Sequence, residues 1–199
     1  MSAMSVALNH PPARMTVAEF LDWDSGDRSG RLWQLVDGEP VAMAPASENH
    51  GAIQSELSGL IRSHLIERRS PCRIVNAPGI IPRLRASENW RIPDLGVTCA
   101  PARGMHEMVD PVLLAEILSP SNYIETRANI WSYTTLPSLR EIVVVHSTRI
   151  EVELFRRGDG GDWPDRPLVF GDGETFHLAG IDLALPVHAL YRTTSLAPA

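Results

Sequence analysis

Two carboxylates carry the chemistry most easily read from this sequence. Glu116 interrupts "PVLLAEILSP", an otherwise continuous apolar run of the kind that forms a central strand buried on both faces. Asp94 lies in "RIPDLGV", at the beginning or middle of a second strand, after a proline that favours extended backbone. A carboxylate buried alone is costly, so Glu116 calls for an arginine, a hydrogen-bond network or a metal. Acids brought together on adjacent strands repel when both are ionised, and a divalent cation relieves that repulsion. Hard oxygen ligands suit Mg2+ or Mn2+ better than zinc. Spacing alone leaves two readings open: a metal centre, or a buried ion pair or strand-end surface acid.

The cations narrow the chemistry. All 18 basic residues are arginines, and the chain contains no lysine. That excludes a lysine Schiff base, a phosphate-loop lysine and any nuclease motif that strictly needs an ammonium, because arginine stays protonated and binds as a rigid fork. A net charge of -6 argues against a generally cationic nucleic-acid coat. Yet residues 62–91 hold Arg62, Arg68, Arg69, Arg73, Arg83, Arg85 and Arg91 against Glu67 and Glu88, a local charge of +5. Arg68, Arg69 and Arg73 would surround a helix end, and Arg83 and Arg85 would reach along a loop towards phosphates. Arg91, three residues before Asp94, would contact a phosphate or the acids, or sit on a solvated rim. The histidines show no i,i+4 ligand pair, which argues against zinc, and His146 reads as a strand-end surface residue. Cys72 and Cys99 could pair in principle but are expected as two separate thiols in a reduced compartment, with the cytoplasm the default. No segment approaches about 18 consecutive apolar residues, so no membrane span is expected, and the first residues lack the basic and apolar blocks of a secretory signal.

These side chains need a frame, and 199 residues at 44% hydrophobic fit one α/β domain. Residues 1–14 read as a flexible N-terminal arm, residues 15–192 as a single domain, and residues 193–199 as a frayed end. Thr16 and Glu19 form a capping-box pattern for a short helix. "LWQLVDGEPVAMA" predicts a hairpin turning at Asp37-Gly38. Ser47 opens a helix whose buried stripe is Ile53, Leu57, Leu60, Ile61 and Leu65. Strands follow in "CRIVNAPGIIP", "WRIPDLGVTC" and around Glu116. A helix over about Tyr123–Thr135 has Ile130 and Trp131 as inward candidates. "EIVVVH", "RIEVELFRR" and two short strands around Val169 and Phe176 close the core.

"RIPDLGV", "VLLAEILSPSN", a helix and "REIVVV", preceded by "RLWQLVDGEPVAMAPASENH", together resemble the restriction-endonuclease-like Uma-type family of the PD-(D/E)xK nuclease superfamily. The resemblance spans roughly residues 15 to 190. It implies a mixed β-sheet flanked by helices with an N-terminal hairpin, an Mg2+ or Mn2+ centre, DNA cleavage and frequent homodimers. Carried over by position, Asp94 and Glu116 match the metal carboxylates and the Ile117 carbonyl the neighbouring ligand. Tyr133 matches a tyrosine of the following helix, and His50 a histidine that would orient a phosphate, carry a proton or cap its helix. Two positions depart from the pattern: Asn129 stands where a lysine is expected, and Gln34 where a glutamate is common. Glu125 matches a usual aspartate and shares a helix face with Asn129. The departures suggest that residues 34 and 129 face one another and were neutralised together. The leading expectation is a metal-dependent DNA endonuclease. The alternatives are a non-catalytic nucleic-acid-binding or dimeric scaffold on the same fold and, more weakly, a small-molecule phosphohydrolase.

Overall fold

The computed structural model describes residues 14–103 and 106–197. Apart from Arg14, the expected N-terminal arm lies outside the described residues. Helix α1 (Val17–Asp22) starts at the expected capping box: the Thr16 hydroxyl accepts from the Glu19 N–H, and the Glu19 carboxylate accepts from the Thr16 N–H at 2.7 Å. Strands β1 (Trp33–Val36) and β2 (Glu39–Ala42) form the hairpin. Asp37 and Gly38 both take positive φ, 49° and 84°, as a tight turn matched to the strand twist requires. Leu35 exchanges two backbone hydrogen bonds with Trp90, both 2.9 Å, which fastens the hairpin to the domain. The Trp90 indole lies so close to Gly79 that a Cβ there would come within 1.9 Å of the ring. Met15, Phe20, Leu35, Trp90 and Ile92 make this corner a small core of its own.

The main sheet has six strands in the order β3-β4-β5-β6-β7-β8: β3 (Arg73–Asn76), β4 (Leu95–Thr98), β5 (Pro111–Leu118), β6 (Glu141–His146), β7 (Glu151–Arg156) and β8 (Leu168–Gly171). Only β5 and β6 run parallel; the other neighbours are antiparallel. Helix α2 (Glu48–Glu67), capped by Ser47, covers one face. Its Ile53, Leu57, Ile61 and Leu65 are buried against Ala115, Ile117, Val143, Val145, Val152 and Leu154, while Leu60 is only half-buried. Helix α3 (Tyr123–Tyr133) is the crossover between β5 and β6 and covers the other face, packing Ile130 and Tyr133 on Leu114, Leu118, Ile142 and Val144. Strand alternation therefore puts Glu116, between Leu114 and Leu118, on the α3 face. This is the mixed sheet flanked by helices, with an N-terminal hairpin, that the sequence led us to expect.

Four local expectations are corrected. Trp131 is 57% exposed, because the buried face of α3 runs through Thr126, Asn129, Ile130 and Tyr133. Of the two short strands expected to close the core, β9 (Thr175–Leu178) does so through Phe176 and Leu178, in a separate ribbon with β10 (Leu183–Pro186), whereas Val169 on β8 is 56% exposed. Two residues of the stretch expected to fray are tied down: Thr193 donates to Glu56 at 3.0 Å, and the Ser195 N–H donates to Asn49 at 3.0 Å. Cys72 and Cys99 form a disulfide across the β3–β4 edge. Antiparallel pairing of Arg73 with Thr98 brings the two cysteines, just beyond that pair, face to face.

Candidate active site

The sheet is incomplete beside Glu116, and that gap makes the site. Strand β4 begins only after Asp94, so its pairing with β5 reaches Leu95–Ala115 and no further. The next outward N–H on that side of β5, from Ile117, donates to Asp94 Oδ2 at 2.6 Å. The Ile117 carbonyl accepts from the Asn122 amide at 3.1 Å. A side-chain carboxylate thus continues the sheet where the strand stops, and it brings Asp94 alongside Glu116. Asp94 Oδ1 meets His50 Nε2 at 2.8 Å, and the Asp94 carbonyl accepts from Gln54 at 2.9 Å. His50 and Gln54 are one helical turn apart on α2, which aims both at the same place.

Glu116 is 4% exposed and has no cation within ion-pair distance among the described residues. Burial, reinforced by the Asp94 charge, pushes its carboxyl well above the ordinary range. Hydrogen bonds from Tyr133, at 2.8 Å to Oε1, and from Asn129 work against that rise. Burial beside Glu116 also drives the Tyr133 phenol upward, so it stays a neutral donor. Glu125 is raised by burial, opposed by hydrogen bonding from Gln34 and the charge of Arg91.

Gln34 and Asn129 face each other. The Asn129 amide donates to Gln34 Oε1 at 3.3 Å, Gln34 Oε1 also accepts the Ile92 N–H at 3.1 Å, and the Gln34 amide donates to Glu125. Arg91, expected against a phosphate or the acids or on a solvated rim, is 6% exposed, and no carboxylate among the described residues lies within ion-pair distance of it. It donates to Asn129 Oδ1 at 3.2 Å and to Asn89 Oδ1 at 2.9 Å.

Asp94, Glu116, His50, Gln34, Glu125 and Asn129 share the wall of one cavity of about 430 Å³. Apolar lining comes from Leu32, Met43, Ala44 and Pro45 on the flanks of the β1–β2 hairpin. Sequence reasoning missed Gln54, Asn122 and Arg31 at this cavity. The i,i+4 spacing from His50 could have found Gln54; nothing local marks Arg31, a half-exposed guanidinium on the rim. The arginines expected to reach phosphates divide between protein partners and solvent. Arg68 pairs with Asp182, Arg73 donates to the Ala100 carbonyl, and Arg85 lies 3.4 Å from Asp37. Arg69 and Arg83 are exposed.

A second cluster lies across α3. His146 is buried, not on the surface, because it ends β6 facing β7. With Glu151 and Glu153 it brings three ligand atoms within 4.8 Å of one another, an arrangement able to hold a divalent cation. The two acids are already engaged: Glu153 takes both Arg127 nitrogens at 2.6 Å, and Glu151 takes Arg149 at 2.6 Å. The signal was legible, since Glu151 and Glu153 alternate onto one strand face. Burial alone would raise Glu153, but the hydrogen bonds and charges of Arg127 and His146 bring it down to about 2. A carboxyl lowered in the folded state stabilises it fully above its unfolded value of 4.5 and ceases to do so as pH falls to about 2. The expected contribution is up to about 3 kcal/mol. Acid unfolding of Glu153→Gln should therefore lose much of its pH slope between those limits, and an unchanged slope would refute the assignment.

A mixed sheet that delivers an Asp from just before one strand and a Glu from within its neighbour to one cavity, with a helix crossover behind the Glu, defines a restriction-endonuclease-like protein of the PD-(D/E)xK type. The model of the Uma2 family, described as "Putative restriction endonuclease", matches residues 17–188, and this chain belongs to that family. It is 30% identical over 185 residues to the Synechocystis protein slr1290, covering 92% of this chain and 94% of that one. Identity with a second Synechocystis protein, sll1609, is 23% over 154 residues, or 75% and 84% of the two chains. The fold matches the crystal structure of a putative nuclease belonging to DUF820 from Anabaena variabilis with a TM-score of 0.71 at 18% identity, covering 89% of this chain and 97% of that one. No helix among the described residues is long and apolar enough to cross a membrane.

Proposed function

We propose that this protein is a metal-dependent phosphodiesterase acting on DNA. The observation that carries the reading is Glu116: a buried acid beside a second acid, on a cavity wall, with no contacting cation among the described residues. Such a pair fits a hard divalent ion, whose charge would offset both carboxylates. Asp94, Glu116 and the Ile117 carbonyl would hold Mg2+ or Mn2+, which supplies Lewis-acid polarisation of a phosphate oxygen and a more acidic bound water. The chain's own groups do the rest. His50 holds Asp94 in place and can exchange a proton at Nε2. Tyr133 fixes the rotamer of Glu116, Gln34 presents its amide between Glu125 and Asn129, and Arg31 offers a cation at the mouth for a phosphodiester backbone.

The second reading, a non-catalytic nucleic-acid-binding or dimeric scaffold, is favoured by one observation: positions 34 and 129, beside the acids, carry amides in place of the glutamate and lysine that the family pattern leads one to expect. Supercoiled, linear and single-stranded DNA incubated with Mg2+ or Mn2+ separate the two. Cleavage that falls at least about 100-fold in Asp94→Asn supports the enzyme. DNA binding without cleavage of any form supports the scaffold. A homodimer belongs to both readings, and exposed Trp131, Leu168 and Val169 offer apolar surface for one.

A further inference from the structure

Arg91 is the one buried arginine among the described residues, and no carboxylate there lies within ion-pair distance of it. Its two terminal nitrogens go to amide oxygens, those of Asn129 and Asn89, and its buried Nε has no hydrogen-bond partner. A buried charge held only by neutral groups is unfavourable unless its field is used. The groups that feel it are Tyr133, Asp37 and Glu125; Glu125 lines the acid cavity, and Tyr133 donates to Glu116.

The guanidinium also settles the polarity of its neighbours. It has donors and no acceptor, so the Asn129 oxygen must face Arg91 and the Asn129 NH2 must face away. On that far side lie Gln34 Oε1 and Glu116. Gln34 is fixed as well, because its oxygen takes the Ile92 N–H and its NH2 is left for Glu125. The result is a one-directional chain from Arg91 through Asn129 to Glu116.

The geometry points to Arg91 as a positioning residue of the acid cavity: it locks the Asn129 amide with its donor end towards Glu116 and backs that donor with a full positive charge. In a chain without lysine, this gives the wall a fixed electropositive point that an asparagine alone does not supply. The catalytic consequence rests on the phosphodiesterase reading above; the locked amide does not.

Nuclear magnetic resonance of the full chain tests both parts. In the wild type, the Asn129 side-chain NH2 should exchange slowly with water and show contacts to Gln34. Arg91→Met, which fills the space without donors, should speed that exchange at least tenfold, and Arg91→Lys should restore it to within threefold. A folded Arg91→Met variant with unchanged Asn129 exchange overturns the proposal. If Arg91→Met does not fold, the wild type decides: Arg91 guanidinium protons in contact with Asn129 and slow NH2 exchange sustain the lock, and solvent-rate exchange overturns it. With Mn2+ and plasmid DNA, Arg91→Met should lower kcat at least tenfold with KM within threefold, and Arg91→Lys should recover most of the rate. Wild-type turnover in Arg91→Met would overturn the catalytic part. A wild type that cleaves no DNA would fell the phosphodiesterase reading and with it the catalytic part, while the exchange rates still decide the lock.

Discussion

Replacing Glu116 by glutamine should make the metal-free protein more stable and erase its response to manganese. Glutamine keeps an oxygen for the Tyr133 hydroxyl but carries no charge that burial and Asp94 oppose. A single substitution that relieves such a burden is commonly worth about 0.5–2 kcal/mol, or roughly 1–8 °C in melting temperature for a domain of this size. The wild type should show the opposite dependence: Mn2+ binds the folded state and raises its melting temperature with concentration, by mass action. Scanning calorimetry of both proteins over a Mn2+ series checks the pair of effects. A wild type insensitive to Mn2+, or a Glu116→Gln variant that is destabilised and still responds, would contradict the account of Glu116 as a carboxylate kept for a cation.

The second large effect concerns the disulfide. Cys72 and Cys99 close a loop that contains β3, the Trp90 anchor, Arg91, Asp94 and all of β4. Closing a loop of this length in the unfolded chain is worth about 3–4 kcal/mol in the chain-entropy account, or roughly 10 °C here. Reduction with dithiothreitol, or the double substitution of both cysteines by serine, should produce that loss. Hydrogen exchange should show the loss concentrated over residues 73–98, since β3 is an edge strand held on one side only. Two titratable thiols in the untreated native protein, or a melting temperature indifferent to reductant, would show that the bond contributes nothing in solution.

The parts of this molecule legible in its sequence are those written in local pattern. The Thr16 capping box, the Asp37-Gly38 turn and the Ser47 helix start depend on neighbouring residues, and each forms as expected. Glu116 stood out because a charge in an apolar strand is locally anomalous. Arg91 did not, because an arginine in a polar stretch reads as solvated until the hairpin that covers it is placed. Trp131 was misread for a related reason. A helix of 11 residues carrying buried asparagine, threonine and serine offers little apolar contrast to set its inward face. Cys72 and Cys99 were compatible with thiols or a disulfide until the β3–β4 register opposed them. His146 needed its partner strand before it could be placed. The facing of Gln34 and Asn129 came from family resemblance, not from any pattern in the chain, because they are 95 residues apart.

The bond from the Ile117 N–H to Asp94 has a bearing on how relatives should be compared. Asp94 completes a β-sheet edge as well as lining the cavity, so selection for a foldable chain would preserve it even in a lineage that had abandoned chemistry. An aspartate retained at this position is therefore a poor diagnostic of a working enzyme. Glu116 is the better witness: it burdens the fold, and only a use for its charge would keep it there. Among descendants that have lost activity, drift should reach the glutamate first and leave the aspartate as the lasting trace of the ancestral centre.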